Sequence, residues 1–240
     1  VGAGKSILIG ALASHVQSVG WKMMVISRQG EIIDQNSDAL WLCDVKNSIY
    51  SASIGRKSTH YPVVCGTEGT IANDLMTRFV EFVPDVISID ECHMLTTSIK
   101  EIIERMRESN PRLRVVGVSA TPFRMNTGYI FREHYIKGIM TDEECIDPYF
   151  AKLVYSIEPR FLIAKGFLTE PVVGYVDDKY DTSGLVMDNK CQWTKDSIDK
   201  AFIGQGRKTA RIIADVVEKS QHRNCVMIFC STIQHAEEAM

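Results

Sequence analysis

No run of apolar residues in this 240-residue chain reaches the roughly 20 needed to span a bilayer. Nor does its opening read as a secretory or transit leader. The seven cysteines are odd in number and scattered without a Cys-x-x-Cys pair, so neither a disulfide framework nor a zinc ribbon is indicated. Reduced thiols and a cytoplasmic setting are the expectation. His-Glu-x-x-His is missing as well, and the histidines show no metal-ligand spacing, which argues against zinc. An excess of basic charge is also missing: 27 Lys and Arg stand against 30 Asp and Glu, a net charge of −3. That excludes a uniformly basic coat for nucleic acid. It leaves room for a local grip on phosphates through backbone amides and helix N-termini. Arg105, Arg107, Arg112 and Arg114 cluster, but read as a solvated helix face and turn. Internal repeats and low-complexity tracts are absent too.

What is present is ordinary for a folded globular chain, 45% hydrophobic and 24% charged. The length suits one large domain or two modest ones. Strand-like and helix-like segments alternate from the first residue to about Thr121. Ile7, Leu8, Leu12 and Val16 recur at helical spacing, with Gly20 as a C-cap. Met23 to Ile26 reads as a buried strand, Glu31 to Leu42 as a helix, and Val63-Val64 as part of a strand ending at Gly66. Ile99, Ile102, Ile103 and Met106 mark an amphipathic helix halted near Asn110-Pro111. Such alternation predicts an α/β fold: a parallel sheet flanked by helices, with functional loops at the C-terminal strand ends. Phe150 to Leu168 again reads as helical, Asp177 to Gly184 as a linker, and Lys208 to Val217 as a helix. Cys225 to Phe229 reads as the first strand of a second domain.

Chemistry concentrates in three places. Val1-Gly2-Ala3-Gly4-Lys5-Ser6 is a Gly-rich turn ending in Lys-Ser, followed by a helix. Its amides suit phosphate oxygens, Lys5 the terminal phosphates, and the Ser6 hydroxyl Mg²⁺. A dinucleotide fold is excluded, because Gly2-Ala3-Gly4 is followed by Ile7 where that fingerprint wants a small residue. Asp90-Glu91-Cys92-His93 closes the apolar run Val86 to Ile89 and supplies two acids, one for the metal and one for the attacking water. Ser119-Ala120-Thr121 follows a further apolar run, Val115 to Val118.

GAGKS, DECH and SATPFR in this order resemble a superfamily 2 helicase, and the wider sequence resembles the RadD-type branch of bacterial and phage DNA helicases. The likeness covers most of the chain and is weakest from Val176 to Arg207. It implies a RecA-like P-loop fold with the beginning of a second RecA-like domain. It also implies hydrolysis of ATP with Mg²⁺, coupled to movement on DNA, single-stranded or branched, in repair or recombination, with RNA as a second candidate. By resemblance Gly2, Ala3, Gly4, Lys5 and Ser6 bind ATP, Ser6 and Asp90 hold Mg²⁺, and Glu91 activates water. His93, Ser119 and Thr121 then couple the ATP site to the nucleic acid, while Arg28, Gly66 and Thr67 match positions that touch its backbone. Glu68 stands where relatives often carry a neutral Gln. Cys92 occupies a variable position and is assigned no chemistry.

The phosphate-loop pattern wants its first Gly five residues before Gly4, ahead of Val1, and the family's later arginines have no counterpart. The expectation is therefore a fragment, inactive as an ATPase by itself. Its first RecA-like ATP-binding domain is expected over 1–172, a connecting segment over 173–206, and the start of the second domain over 207–240. Three rivals remain: the motor subunit of a restriction enzyme, an AAA+-type switch or clamp loader, and a non-catalytic DNA-binding module. The Ser-Ala-Thr triplet argues against the second, and intact Lys5, Asp90 and Glu91 against the third.

Overall fold

A computed structural model describes residues 3–124, 127–171, 178–188 and 193–240. The chain divides into two compact units, Val1–Thr169 and Glu170–Met240. In the first, α1 (Lys5–Ser18), β1 (Met23–Ser27), α2 (Gly30–Leu42), β2 (Asn47–Ser51) and β3 (Arg56–Lys57) come before β4 (Val63–Thr67) and α3 (Glu68–Asn73). After these come β5 (Val86–Asp90), α4 (Thr97–Ser109) and β6 (Arg114–Val118). The six strands form one sheet in the order β3-β2-β4-β1-β5-β6. Only the β2–β3 pair is antiparallel. This is the RecA-like α/β arrangement.

Successive residues of β1 point to opposite faces, and both faces are covered, which is why its sequence is apolar throughout. Met24 and Ile26 pack with Ile99, Ile102, Ile103 and Met106 of α4. Met23 and Val25 pack with Ile9, Ala13 and Val16 of α1 and with Ile33 and Leu40 of α2. The buried face of α1 thus differs from the expected one: Ile7 and Leu8 are 52% and 58% exposed, while Ile9, Gly10, Ala13 and Val16 are buried. The shift has a packing cause. A Cβ on Gly10 would lie 2.6 Å from the Cys43 Sγ, so the helices approach closest along the Gly10 face.

Register sets the site. Ile26 lies between Gly66 and Ile89, Ser27 faces Thr67, and Asp90 faces Val118. The chain therefore leaves β1, β4, β5 and β6 at one sheet edge, at Arg28, Glu68, Glu91 and Ser119.

After β6 come the short strands β7 (Phe123–Arg124), β8 (Gly128–Tyr129), β9 (Phe131–His134), β10 (Gly138–Ile139) and β11 (Phe150–Leu153), then α5 (Pro159–Ala164). The helix expected from Phe150 to Leu168 is thus replaced by a strand, a connection and a short helix. Tyr149, Phe150 and Leu153 pack on the core shared with α4, β11 pairs with β9, and Pro159 starts α5. Proline suits a first helical turn and breaks a helix interior.

The second unit contains α6 (Lys195–Phe202), α7 (Gly206–Lys219) and α8 (Ile233–Ala239). The Tyr180 hydroxyl lies 2.8 Å from the Thr209 hydroxyl and 2.9 Å from Nε2 of the buried His235, on which Phe202 stacks. The strand expected over Cys225 to Phe229 is not formed, and Phe229 is 89% exposed. Among the described residues of this unit no strand is available to pair with it, and a strand without a partner leaves its backbone groups unmatched. The expected linker begins at Asp177, outside the described residues. No helix among the described residues is long and apolar enough to cross a membrane.

Candidate functional site

Gly4 precedes α1 with φ 74° and ψ 28°, a left-handed conformation that glycine adopts without a Cβ penalty. The 14-residue helix behind it has no side-chain cap and no acid in its first turn. Its leading amides and the positive end of its dipole are thus available to an anion. Ala3 and Gly4 are exposed, and Lys5 and Ser6 half-buried. Gly2 lies outside the described residues.

At the end of β5, Asp90 is only 7% exposed. Its Oδ2 accepts a hydrogen bond from Asn36 Nδ2 at 3.0 Å, and its Oδ1 accepts from the Glu91 amide at 2.9 Å. Each carboxylate oxygen keeps acceptor capacity, and no cationic side chain among the described residues pairs with Asp90. A buried carboxylate without a cation is costly, and Asn36 Oδ1 beside it is buried without a partner. Both features suit a bound Mg²⁺.

Glu91 follows with φ 51° and ψ 46°, left-handed for a residue that carries a side chain. Such a conformation costs about 1–3 kcal/mol and persists only where the surroundings fix it. Here they do. One Glu91 oxygen pairs with the Lys5 ammonium, and the other lies 3.2 Å from His93 Nδ1. That ring nitrogen lies 2.8 Å from the Ser119 hydroxyl, which accepts the Thr121 amide at 3.0 Å. The sequence's three motifs thus meet in one polar chain. Thr121 joins it through its backbone, its side chain being exposed. Between the two acids and His93, burial and then the Glu91 charge push the Cys92 thiol up to about 12.

Arg28, Gly66 and Thr67 come to the same sheet edge, but in different roles. Arg28 is exposed, its Nε 3.8 Å from Glu68 Oε2, while the other Glu68 oxygen accepts from the Thr96 hydroxyl. Gly66 is buried, and a Cβ there would lie 2.7 Å from Ile71 Cδ1 and 2.9 Å from the Tyr50 carbonyl oxygen. The Thr67 hydroxyl is buried 3.2 Å from Ser51 Oγ and 2.8 Å from Thr70 Oγ1. Sequence reasoning gave no role to Asn36, Thr96 or Arg124. Arg124 Nε donates to the His93 carbonyl and Nη2 to the Leu95 carbonyl at 2.9 Å. Its one signal was its place at the end of SATPFR.

No curated protein matches the chain. Among solved structures, the UvsW helicase from bacteriophage T4 is similar at 24% identity and a TM-score of 0.42. The match covers 50% of this chain and 44% of that one, so the chain spans less than half of that structure's length. Residues 1–124, more than half of the chain, match the family described as Type III restriction enzyme, res subunit. That stretch holds the Gly4-Lys5-Ser6 turn, the Asp90–His93 acids and turn, and the Ser119–Arg124 segment. The chain belongs to this res-subunit family and, with it, to the superfamily 2 helicases.

Proposed function

We propose that this chain carries the ATP site of a DNA motor, and that hydrolysis there drives translocation or remodelling. One observation carries the reading: the unbroken contacts from Lys5 through Glu91 and His93 to Ser119. They link the phosphate-binding turn, the acidic strand end and the loop after β6. Ala3, Gly4, Lys5 and Ser6, with Gly2, would cradle the phosphates. Ser6 and Asp90 would hold Mg²⁺, which neutralises charge on the phosphate oxygens when bound. Glu91 would take the proton of the attacking water, a general-base role worth about 10²–10⁴ in rate. Lys5 pairs with Glu91, so phosphates bound at the Gly4-Lys5-Ser6 turn would compete with that carboxylate for the Lys5 ammonium. His93 would link that site to Ser119 and Thr121, beside the edge where the exposed Arg28 would meet a DNA backbone, with the buried Gly66 and Thr67 shaping that edge from beneath.

The RadD-type branch and a role in repair or recombination are the finer form of this proposal, with RNA as the alternative track. A restriction-enzyme motor subunit is the second reading, favoured by the name of the matched family. A nuclease or methyltransferase partner of the intact protein would decide for it. The motor reading is tested by phosphate release from the intact protein carrying this chain, with and without single-stranded DNA. Stimulation by DNA is expected; equal rates would contradict it.

A further inference from the structure

Arg124 lies outside the polar chain from Lys5 to Ser119, yet it grips the backbone on which that chain hangs. Its guanidinium donates from Nε to the His93 carbonyl and from Nη2 to the Leu95 carbonyl. Both carbonyls belong to the one-turn 3₁₀ segment Cys92–Met94 and the residue after it, the turn that aims Glu91 and His93. Packing holds the two ends of this turn, the buried Cys92 and Leu95, but not its middle, where His93 is half-buried and Met94 exposed. Cys92 sits so close to β6 that a Cβ on Gly117 would lie 2.6 Å from its Sγ. A cavity of ≈ 70 Å³ also borders the turn, lined by Cys92, Leu95, Arg124, Tyr129, Tyr149 and Phe150 among others. Where the middle of the turn lacks such packing, a planar fork of donors on two of its carbonyls can fix the backbone. The Glu91 backbone just ahead is left-handed, a conformation that relaxes unless it is held.

We propose that Arg124 is a positioning residue for ATP hydrolysis: a clamp from the segment after Ser119-Ala120-Thr121 onto the acidic turn. It holds Glu91 and His93 in the geometry from which the base acts. Its guanidinium acts on the turn's backbone carbonyls and not on the side chains of the Lys5–Ser119 chain. With the Ser119–His93 contact it makes a second, backbone-level tie between the two motifs, so movement of the Thr121–Arg124 segment reaches Glu91 directly. The inference rests on the motor reading given above.

The test compares wild type, Arg124→Ala and Arg124→Lys in the intact protein, by steady-state ATPase on single-stranded DNA and by amide exchange over residues 91–95. Displacing a catalytic group by about an ångström costs on the order of a hundredfold in rate. Arg124→Ala should therefore lower kcat by about tenfold to a hundredfold, with KM for ATP within about threefold. Arg124→Lys, with one compact ammonium for two carbonyls, should recover only part of the rate. Guanidinium ion at millimolar concentration should rescue Arg124→Ala and leave Glu91→Gln unchanged. Exchange over 91–95 should speed up in Arg124→Ala while α4 keeps its protection. An unchanged kcat, or a loss that neither Lys nor guanidinium relieves, would overturn the clamp. Faster exchange at 91–95 in a protein that hydrolyses no ATP would uphold the clamp and sink the motor reading instead.

Discussion

At the scale of single residues, the site couples a strained backbone to a shared carboxylate. Glu91 holds Lys5 with one oxygen and faces His93 with the other, so neither the Lys5 ammonium nor the His93 ring can move without the carboxylate registering it. Lys5→Ala removes charge-assisted hydrogen bonds of roughly 1.5–3 kcal/mol, and ATP affinity should fall about tenfold to a hundredfold. Titration of a fluorescent ATP analogue against both proteins measures this, and equal affinities would remove Lys5 from the phosphate site. Cys92 gives a second residue-scale expectation. Its thiol is buried and pushed up to about 12, so it should resist alkylation at pH 8 in the native protein. The exposed Cys225 should label. Peptide mapping separates the two sites, and prompt labelling of Cys92 would mean that the acidic turn opens freely. Most of these groups were legible as residue types at a strand end. Asn36 was not, because nothing in a helix sequence marks one polar side chain as the partner of an acid 54 positions away.

At the scale of elements, legibility followed the hydrophobic pattern. Met23–Ser27 and Val86–Asp90 are buried on both faces and read plainly as apolar runs. Asn47–Ser51 is equally buried yet carries Asn, Ser and Ser, and only the fold shows how its polar groups are met. Asn47 Oδ1 accepts from the Ser37 hydroxyl, and Ser48 Oγ accepts the Tyr61 amide. The opposite failure occurred at Cys225 to Phe229, apolar enough for a strand but with none to pair with among the described residues of its unit. Element-scale stability should follow burial. Ile102 is fully buried between α4 and the sheet, so Ile102→Ala should cost about 2–5 kcal/mol by denaturant unfolding. A loss under 1 kcal/mol would mean that α4 is not anchored there. Asp74, capping α3, ties down β2 and β3 through the Tyr50 hydroxyl and the Lys57 ammonium, both at 2.8 Å. The Lys57 hydrogen bond, then that of Tyr50, holds the Asp74 carboxyl below its ordinary value of 3.8. Its folded form thus favours the charged state, and the stabilisation is full above that ordinary value. It fades as pH falls through the lowered one. The stability gap between wild type and Asp74→Asn should therefore narrow on acidification below the ordinary carboxylate range. A gap that widened there would reverse the assignment.

At the scale of the whole molecule, the parallel sheet gathers the ends of β1, β4, β5 and β6 onto one edge, which is where the proposed ATP site and nucleic-acid path would adjoin. Changing both Ser119 and Thr121 to Ala should leave much of the DNA-stimulated ATPase while strand displacement falls. Loss of both activities in proportion would point to a folding defect instead. The central claim is that Glu91 performs the chemical step and is not needed to bind nucleotide. Its carboxylate also restrains Lys5, so Glu91→Gln should bind ATP at least as tightly as wild type. The most direct measurement is single-turnover hydrolysis of prebound ATP by Glu91→Gln and wild type, on single-stranded DNA in the intact protein. The account predicts saturated binding in both and a rate about 10²–10⁴ lower in the variant; hydrolysis within threefold of wild type would contradict it.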